Sequence, residues 1–293
     1  MRKFDFLLIG AQKSATSWLW DKLDQHPGTD LPAEKEIHYF GGVELYRRGP
    51  AWYYGHFENT DPDLLTGEAS TSYLYDRIPY WQNDNREIEH AEDLPTIPEL
   101  VAAENPDAKI VVVLRDPVHR AISAYHHWTK KGLESPLVGL RRTAIEHPKM
   151  RILEYGFYAR HLEAWRKVFP AENIHIMIFE EDVKRNPEVG LRNLYEFLGL
   201  DKEFQADERQ SRVHKSWSWT RGVVHYYAGP FRRILTRGPM GDFLDRSDFL
   251  KRFAVKPSDI AYLRECYLPE KDKLENILGR NLDVWDYGER LLT

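Results

Sequence analysis

Cysteine is nearly absent: Cys266 stands alone among 293 residues. A lone thiol closes no intrachain disulfide, and without a C-x-x-C pair or a Cys/His cluster the spacing offers no metal site. A reducing, cytoplasmic setting and chemistry without a metal are therefore expected. Long apolar runs are missing too. The N-terminal run is broken by Asp5 and ended by Lys13, too short for a signal-peptide core or a membrane span. Positive charge is not in excess, since 41 Lys and Arg against 46 Asp and Glu leave a formal charge of −5. That balance gives no reason to expect a nucleic-acid partner. Internal repeats and low-complexity tracts are absent, and oligomeric state leaves no mark. What remains is the composition of a soluble globular chain, 42% hydrophobic and 30% charged, long enough to bury about three quarters of its unfolded surface. One domain spanning 1–293 is the simplest reading.

The most informative stretch is Phe4 to Ser17, FDFLLIGAQKSATS, an apolar strand running into a loop of small residues. Consecutive N–H groups in such a turn form a nest for phosphate-like oxygens, and the helix that follows adds the positive end of its dipole. The spacing departs from the nucleoside-triphosphate loop G-x-x-x-x-G-K-[ST], which would put glycine at 15 and lysine at 16. Here those places hold Ala15 and Thr16, and the lysine is Lys13. The loop has the shape for phosphate without the usual arrangement for ATP and Mg²⁺.

Strands alternate with helices along the chain, the pattern of an α/β fold with a central parallel sheet flanked by helices. Lys109–Leu114 is a continuous β-branched run of the kind that central strands show. It ends in Arg115-Asp116-Pro117, with Pro117 suited to the first position of a helix running through Trp128. An extended piece is expected at Leu64–Ala69, a helix near Tyr158–Phe169, a strand at Ile174–Phe179, a helix from Pro187 to Leu198 stopped by Gly199, and a closing helix from Ser258 to Leu278. Asp76 to Thr96 reads as a polar surface insertion. Arg209 to Gly241 carries seven Lys or Arg, no Asp or Glu, and interleaved aromatics. That face serves either an anionic ligand or simply solvent, with snorkelling arginines.

Both the 10–17 loop and Leu114-Arg115-Asp116-Pro117 follow strand carboxyl ends, where open α/β sheets bind ligands. With Ser123 farther along the helix, they resemble the sulfotransferases that use adenosine 3′-phosphate 5′-phosphosulfate (PAPS). The resemblance continues through Pro32–Phe40 (PAEKEIHYF), Gly67–Tyr73 (GEASTSY), Tyr158–Leu162 (YARHL) and Leu278–Leu282 (LGRNL). It covers the chain except 76–96 and 209–256, and lies nearest to heparan-sulfate and related bacterial carbohydrate sulfotransferases. It implies sulfonate transfer from PAPS to an acceptor hydroxyl, of a carbohydrate foremost, with adenosine 3′,5′-bisphosphate as the second product. A lipid, phenol, secondary metabolite or amine acceptor is the alternative, and a P-loop nucleotide kinase the rival that the lysine's position opposes.

The resemblance further implies that Lys13, Ser14, Ala15, Thr16 and Ser17 hold the phosphosulfate, that Arg115 and Ser123 hold the 3′-phosphate, and that Tyr158 lies near the nucleotide. Lys13 would neutralise charge on the bridging oxygen as the sulfur–oxygen bond breaks. Thr16 and Ser17 suit helix capping as well, Arg115 suits an ion pair with Asp116, and Tyr158 suits core packing. Glu36 matches the family's general base, and burial beside Tyr39 and Phe40 would have to raise its pKa. Glu34 competes for that role, as does His38, which shares Glu36's side if the segment is extended. Two departures stand out. The resembling enzymes carry a lysine directly after the second strand's glutamate, where this chain has Ala69. Their Lys-Gly loop at the 3′-phosphate has no match either, leaving Arg209, Arg212 or Lys215 as substitutes.

Overall fold

The computed structural model describes residues 2–76, 95–207, 219–246 and 255–292. Among the described residues four strands, β1 (Phe6–Gly10), β2 (Gly67–Glu68), β3 (Lys109–Leu114) and β4 (Ile174–Ile178), form one parallel sheet in the order β2-β1-β3-β4. The longer helices, in chain order, are α1 (Thr16–Asp24), α2 (Ile97–Glu104), α3 (Pro117–Lys130), α4 (Tyr158–Val168) and α5 (Pro187–Leu198), then α6 (Trp219–Tyr227), α7 (Gly238–Arg246), α8 (Pro257–Tyr267) and α9 (Lys271–Leu278). This is the expected α/β class with a central parallel sheet.

The described residues form two compact units interleaved along the chain, so no single cut separates them. The first, residues 2–76, 95–115, 158–207 and 273–284, contains the sheet. Strand periodicity sends Phe6, Leu8, Val111 and Val113 to one face, where they pack with Leu19 and Leu23 of α1 and with Leu191, Leu194, Tyr195 and Leu198 of α5. Leu7, Ile9, Ile110, Val112 and Leu114 are equally buried, which is why these strands read as unbroken apolar runs. Each such side chain contributes about 1.5–3 kcal/mol. At Gly199 the chain turns with φ 84°, a left-handed cap that closes α5 where the sequence placed its end.

The 76–96 insertion is described only at its ends. Asp76 holds the wholly buried His161 at 3.0 Å. Thr96 caps α2, accepting from Glu99 N while Glu99 Oε2 accepts from Thr96 N at 2.7 Å. The Thr-x-x-Glu spacing of this capping box is the signal for α2, which the pattern above does not anticipate.

The second unit comprises residues 116–157, 219–246, 255–272 and 285–292. Asp116 is the α3 cap. Its Oδ1 accepts from the amides of Val118 and His119 at 2.9 and 3.2 Å, and its Oδ2 from that of Tyr287 at 2.7 Å. Arg120 is wholly buried and donates to the Ile152 carbonyl, a structural task. Arg221, from the basic segment, bonds to Asp245 at 2.6 Å and to the Thr236 carbonyl at 2.8 Å. The closing helix differs from expectation. α8 ends at Tyr267, a 3₁₀ turn spans Leu268–Glu270, and α9 restarts at Lys271, because Pro269 has no N–H to continue an α-helix.

Candidate active site

From β1 the chain passes to β2 on one side of the sheet and to β3 on the other. The switch point therefore lies between the carboxyl ends of β1 and β3, where open α/β sheets receive ligands. Two predicted pieces meet there, all within the first unit. Lys13 and Ala15 adopt left-handed conformations, φ 70° and 68°, each costing a non-glycine residue about 1–2 kcal/mol. The helix begins directly after, at Thr16, and no side chain caps it, so neither Thr16 nor Ser17 takes the capping role. Ser14 is wholly buried and its hydroxyl has no hydrogen-bond partner. Arg115 donates from Nη1 to the Lys13 carbonyl at 3.0 Å, and its guanidinium lies 5.0 Å from the Phe179 ring centroid. Tyr158 is 1% exposed and donates its hydroxyl to the Arg115 carbonyl at 2.9 Å. It holds the strand end in place and packs in the core.

The 32–40 segment comes to the same loop. The Ala69 amide donates to the Lys35 carbonyl at 3.1 Å, pinning the segment beside β2. Tyr39 and Phe40 anchor its far end in an aromatic cluster with Phe4, Tyr53 and Tyr73. Tyr39 stacks on Tyr53 with 4.5 Å between centroids. Between these anchors Glu36 meets Lys35 Nζ at 3.2 Å and His38 Nε2 at 3.4 Å. Lys35 Nζ also donates to Ser17 Oγ at 3.1 Å, tying the carboxylate to the start of α1. Glu34 is directed elsewhere, to His56 at 3.3 Å. His38 reaches Glu36 by a route the sequence does not suggest. Its φ is 56°, not extended, and the ring's Nδ1 lies 2.9 Å from Ser72 Oγ.

The electrostatics reverse one expectation. Burial does push the Glu36 carboxyl up, but the hydrogen bond from His38 and the Lys35 ammonium outweigh it and leave the pKa lowered to about 2. Glu36 is thus a carboxylate held in its charged form, not a raised base. Glu68 behaves oppositely. It is wholly buried, and desolvation raises its pKa although the Ser70 hydroxyl and Tyr73 OH, the latter at 2.8 Å, donate to Oε1.

Ser123 is half-buried on α3 in the second unit. Arg209, Arg212 and Lys215 lie outside the described residues. The site residue that sequence reasoning missed is Lys35. Inside a Glu-Lys-Glu run it reads as a solvated charge, and its one signal is being the single cation of Pro32–Phe40. Asp116, His119 and Asp286 of the second unit have ligand atoms within 4.8 Å of one another, but both Asp116 oxygens already accept amide N–H groups.

A parallel sheet with an anion-shaped loop at its switch point and a held carboxylate beside it is the frame of an α/β group-transfer enzyme. The chain belongs to the sulfotransferase domain family, whose model matches residues 3–221. It is 27% identical over 285 residues to heparan sulfate glucosamine 3-O-sulfotransferase 5 of Mus musculus, covering 94% of this chain and 72% of that protein. It is 28% identical over 210 residues to bifunctional heparan sulfate N-deacetylase/N-sulfotransferase 1 of Caenorhabditis elegans, covering 67% of this chain and 22% of that one. A sulfotransferase structure from Alicyclobacillus acidocaldarius shares the fold, with a TM-score of 0.68 at 24% identity, covering 97% of this chain and 99% of that one. Among the described residues no helix is long and apolar enough to cross a membrane.

Proposed function

We propose that this sulfotransferase takes its sulfonate from PAPS and delivers it to a hydroxyl group of a carbohydrate. The observation that carries the donor side is the loop at the β1–β3 switch point. There an uncapped helix start, the unpartnered buried hydroxyl of Ser14 and the Arg115 guanidinium lie beside Lys13. Such a set suits a phosphosulfate, because each element offers a donor or positive charge and none offers a competing carboxylate. The carbohydrate acceptor is supported by the heparan sulfate sulfotransferases among the relatives, and a hydroxyl in place of an amine by the 3-O-sulfotransferase that aligns with most of the chain.

In this reading the acceptor oxygen forms a bond to sulfur as the bond from sulfur to the 5′-phosphate oxygen breaks. The departing oxygen keeps the electron pair, and the acceptor's proton passes to Glu36. Lys13 meets the charge growing on the departing oxygen. Loop amides, Ser14, Thr16 and Ser17 orient the phosphosulfate, so catalysis comes from position and charge. Arg115 binds the 3′-phosphate, and His38 positions both Glu36 and the acceptor.

The test incubates purified protein with PAPS and pooled glycans, phenols, lipids and amines in EDTA, reading sulfonate gain by mass spectrometry. Sulfated glycan is the expected product. Transfer only to another class would overturn the acceptor, and no transfer from PAPS to any class would overturn the donor.

A further inference from the structure

The resembling enzymes place a lysine directly after the second strand's glutamate, and this chain has Ala69 there. The site is not short of a cation. Ala69 is wholly buried within the sheet's apolar core, so its side-chain position has been absorbed by packing. Its amide donates to the carbonyl of Lys35, however, and the Lys35 ammonium lies 3.1 Å from Ser17 Oγ and 3.2 Å from Glu36 Oε1. The backbone at Ala69 thus holds the main chain of Lys35.

We propose that Lys35 is the second cation of the transfer site, contacting the sulfonate in flight while it orients Glu36 toward the acceptor hydroxyl. The proposal rests on the sulfonate-transfer reading above. An ammonium has three donors, and Ser17 and Glu36 use two of them in the resting site. The third is suited to a sulfonate oxygen presented by the loop. A carboxylate beside an anionic donor would repel it, and Lys35 removes that penalty by neutralising Glu36. Lys35 exchanges no proton and forms no bond during transfer. Its ammonium stabilises charge, and drawing it toward sulfonate oxygens leaves Glu36 a stronger base when a proton must be accepted. The groups that lower the Glu36 pKa are His38, through its hydrogen bond, and the Lys35 ammonium, so removing Lys35 takes away one part of that lowering.

Lys35→Met and Lys35→Arg test this by three readouts. Turnover with PAPS should fall about 10²-fold in Lys35→Met, with acceptor KM little changed, and Lys35→Arg should recover most of the loss. Calorimetric affinity for adenosine 3′,5′-bisphosphate, which lacks the sulfonate, should stay within about threefold. The Glu36 carboxyl, followed by NMR in the ligand-free protein, should titrate higher in Lys35→Met than in the parent, because one of the groups that lower it is gone. Turnover in Lys35→Met within about twofold of an active parent would overturn the role of Lys35 alone. A loss of turnover matched by an equal loss of bisphosphate affinity, with Glu36 titrating as before, would make Lys35 scaffolding and also overturn it. An inactive parent across all acceptors would instead remove the sulfonate-transfer reading and this proposal with it.

Discussion

Arg115 reaches back across the switch point of the sheet to the main-chain carbonyl of Lys13, 3.0 Å from its Nη1. One guanidinium edge therefore shapes the anion loop, while Tyr158 steadies the same residue through its carbonyl. Arg115→Ala should weaken adenosine 3′,5′-bisphosphate by about 10- to 10²-fold, the size of one lost charge-assisted hydrogen bond, and remove most of its advantage over 5′-AMP. Arg115→Lys should restore little, because a point charge cannot serve loop and phosphate at once. Calorimetry with both nucleotides checks this, and equal affinities in the parent protein would remove Arg115 from the 3′-phosphate.

Lys13→Ala should cost about 10²-fold or more in kcat and much less in bisphosphate affinity. In the proposed transfer, the charge it meets is larger in the transition state than in the bound product. Steady-state kinetics beside calorimetry measures both. Near-normal turnover would take Lys13 out of the mechanism.

Glu36→Gln preserves shape and removes the carboxylate proposed as proton acceptor, so turnover should drop about 10²–10⁴-fold with the melting temperature nearly unchanged. His38→Asn should cost less, because the ring touches Glu36 and Ser72 and acts through them. An active Glu36→Gln protein beside a dead His38→Asn one would transfer the base role to His38.

Asp76 at the root of the insertion supports the fold. Burial raises its pKa, but His161 and Arg160 more than offset this and leave it lowered. A depressed carboxyl stabilises the folded state above its unfolded pKa and loses that contribution as pH falls through the folded value. Asp76→Ala, which leaves buried His161 without this partner, should cost about 1–3 kcal/mol near neutral pH. Urea titrations should show the gap between the two proteins closing as pH drops below about 4. A gap independent of pH would assign the effect to packing.

The centre of the sheet was legible because β1 and β3 carry unbroken apolar runs, and Gly199 and Pro117 mark helix ends by backbone chemistry that only those residues supply well. The 10–17 loop was legible from small residues after a strand. Less visible was anything set by partners distant in sequence. Nothing in PAEKEIHYF shows that Glu34 turns to His56 while Glu36 is paired through Lys35 to Ser17. His38's left-handed backbone was equally hidden, since non-glycine residues seldom adopt it. The lowered pKa of Glu36 follows from those contacts, which is why burial alone gave the wrong sign.

The anion loop reaches its left-handed turns at Lys13 and Ala15, where a triphosphate loop would use glycine at position 15. Alanine narrows the conformations open to the empty loop, so less motion is left to freeze when an anion arrives. Seen through the heat of binding, nucleotide capture should then show a small entropic penalty for ordering, with strain carried in the resting protein instead. On the proposed donor reading, recognition at this loop is set during folding, before a ligand is met.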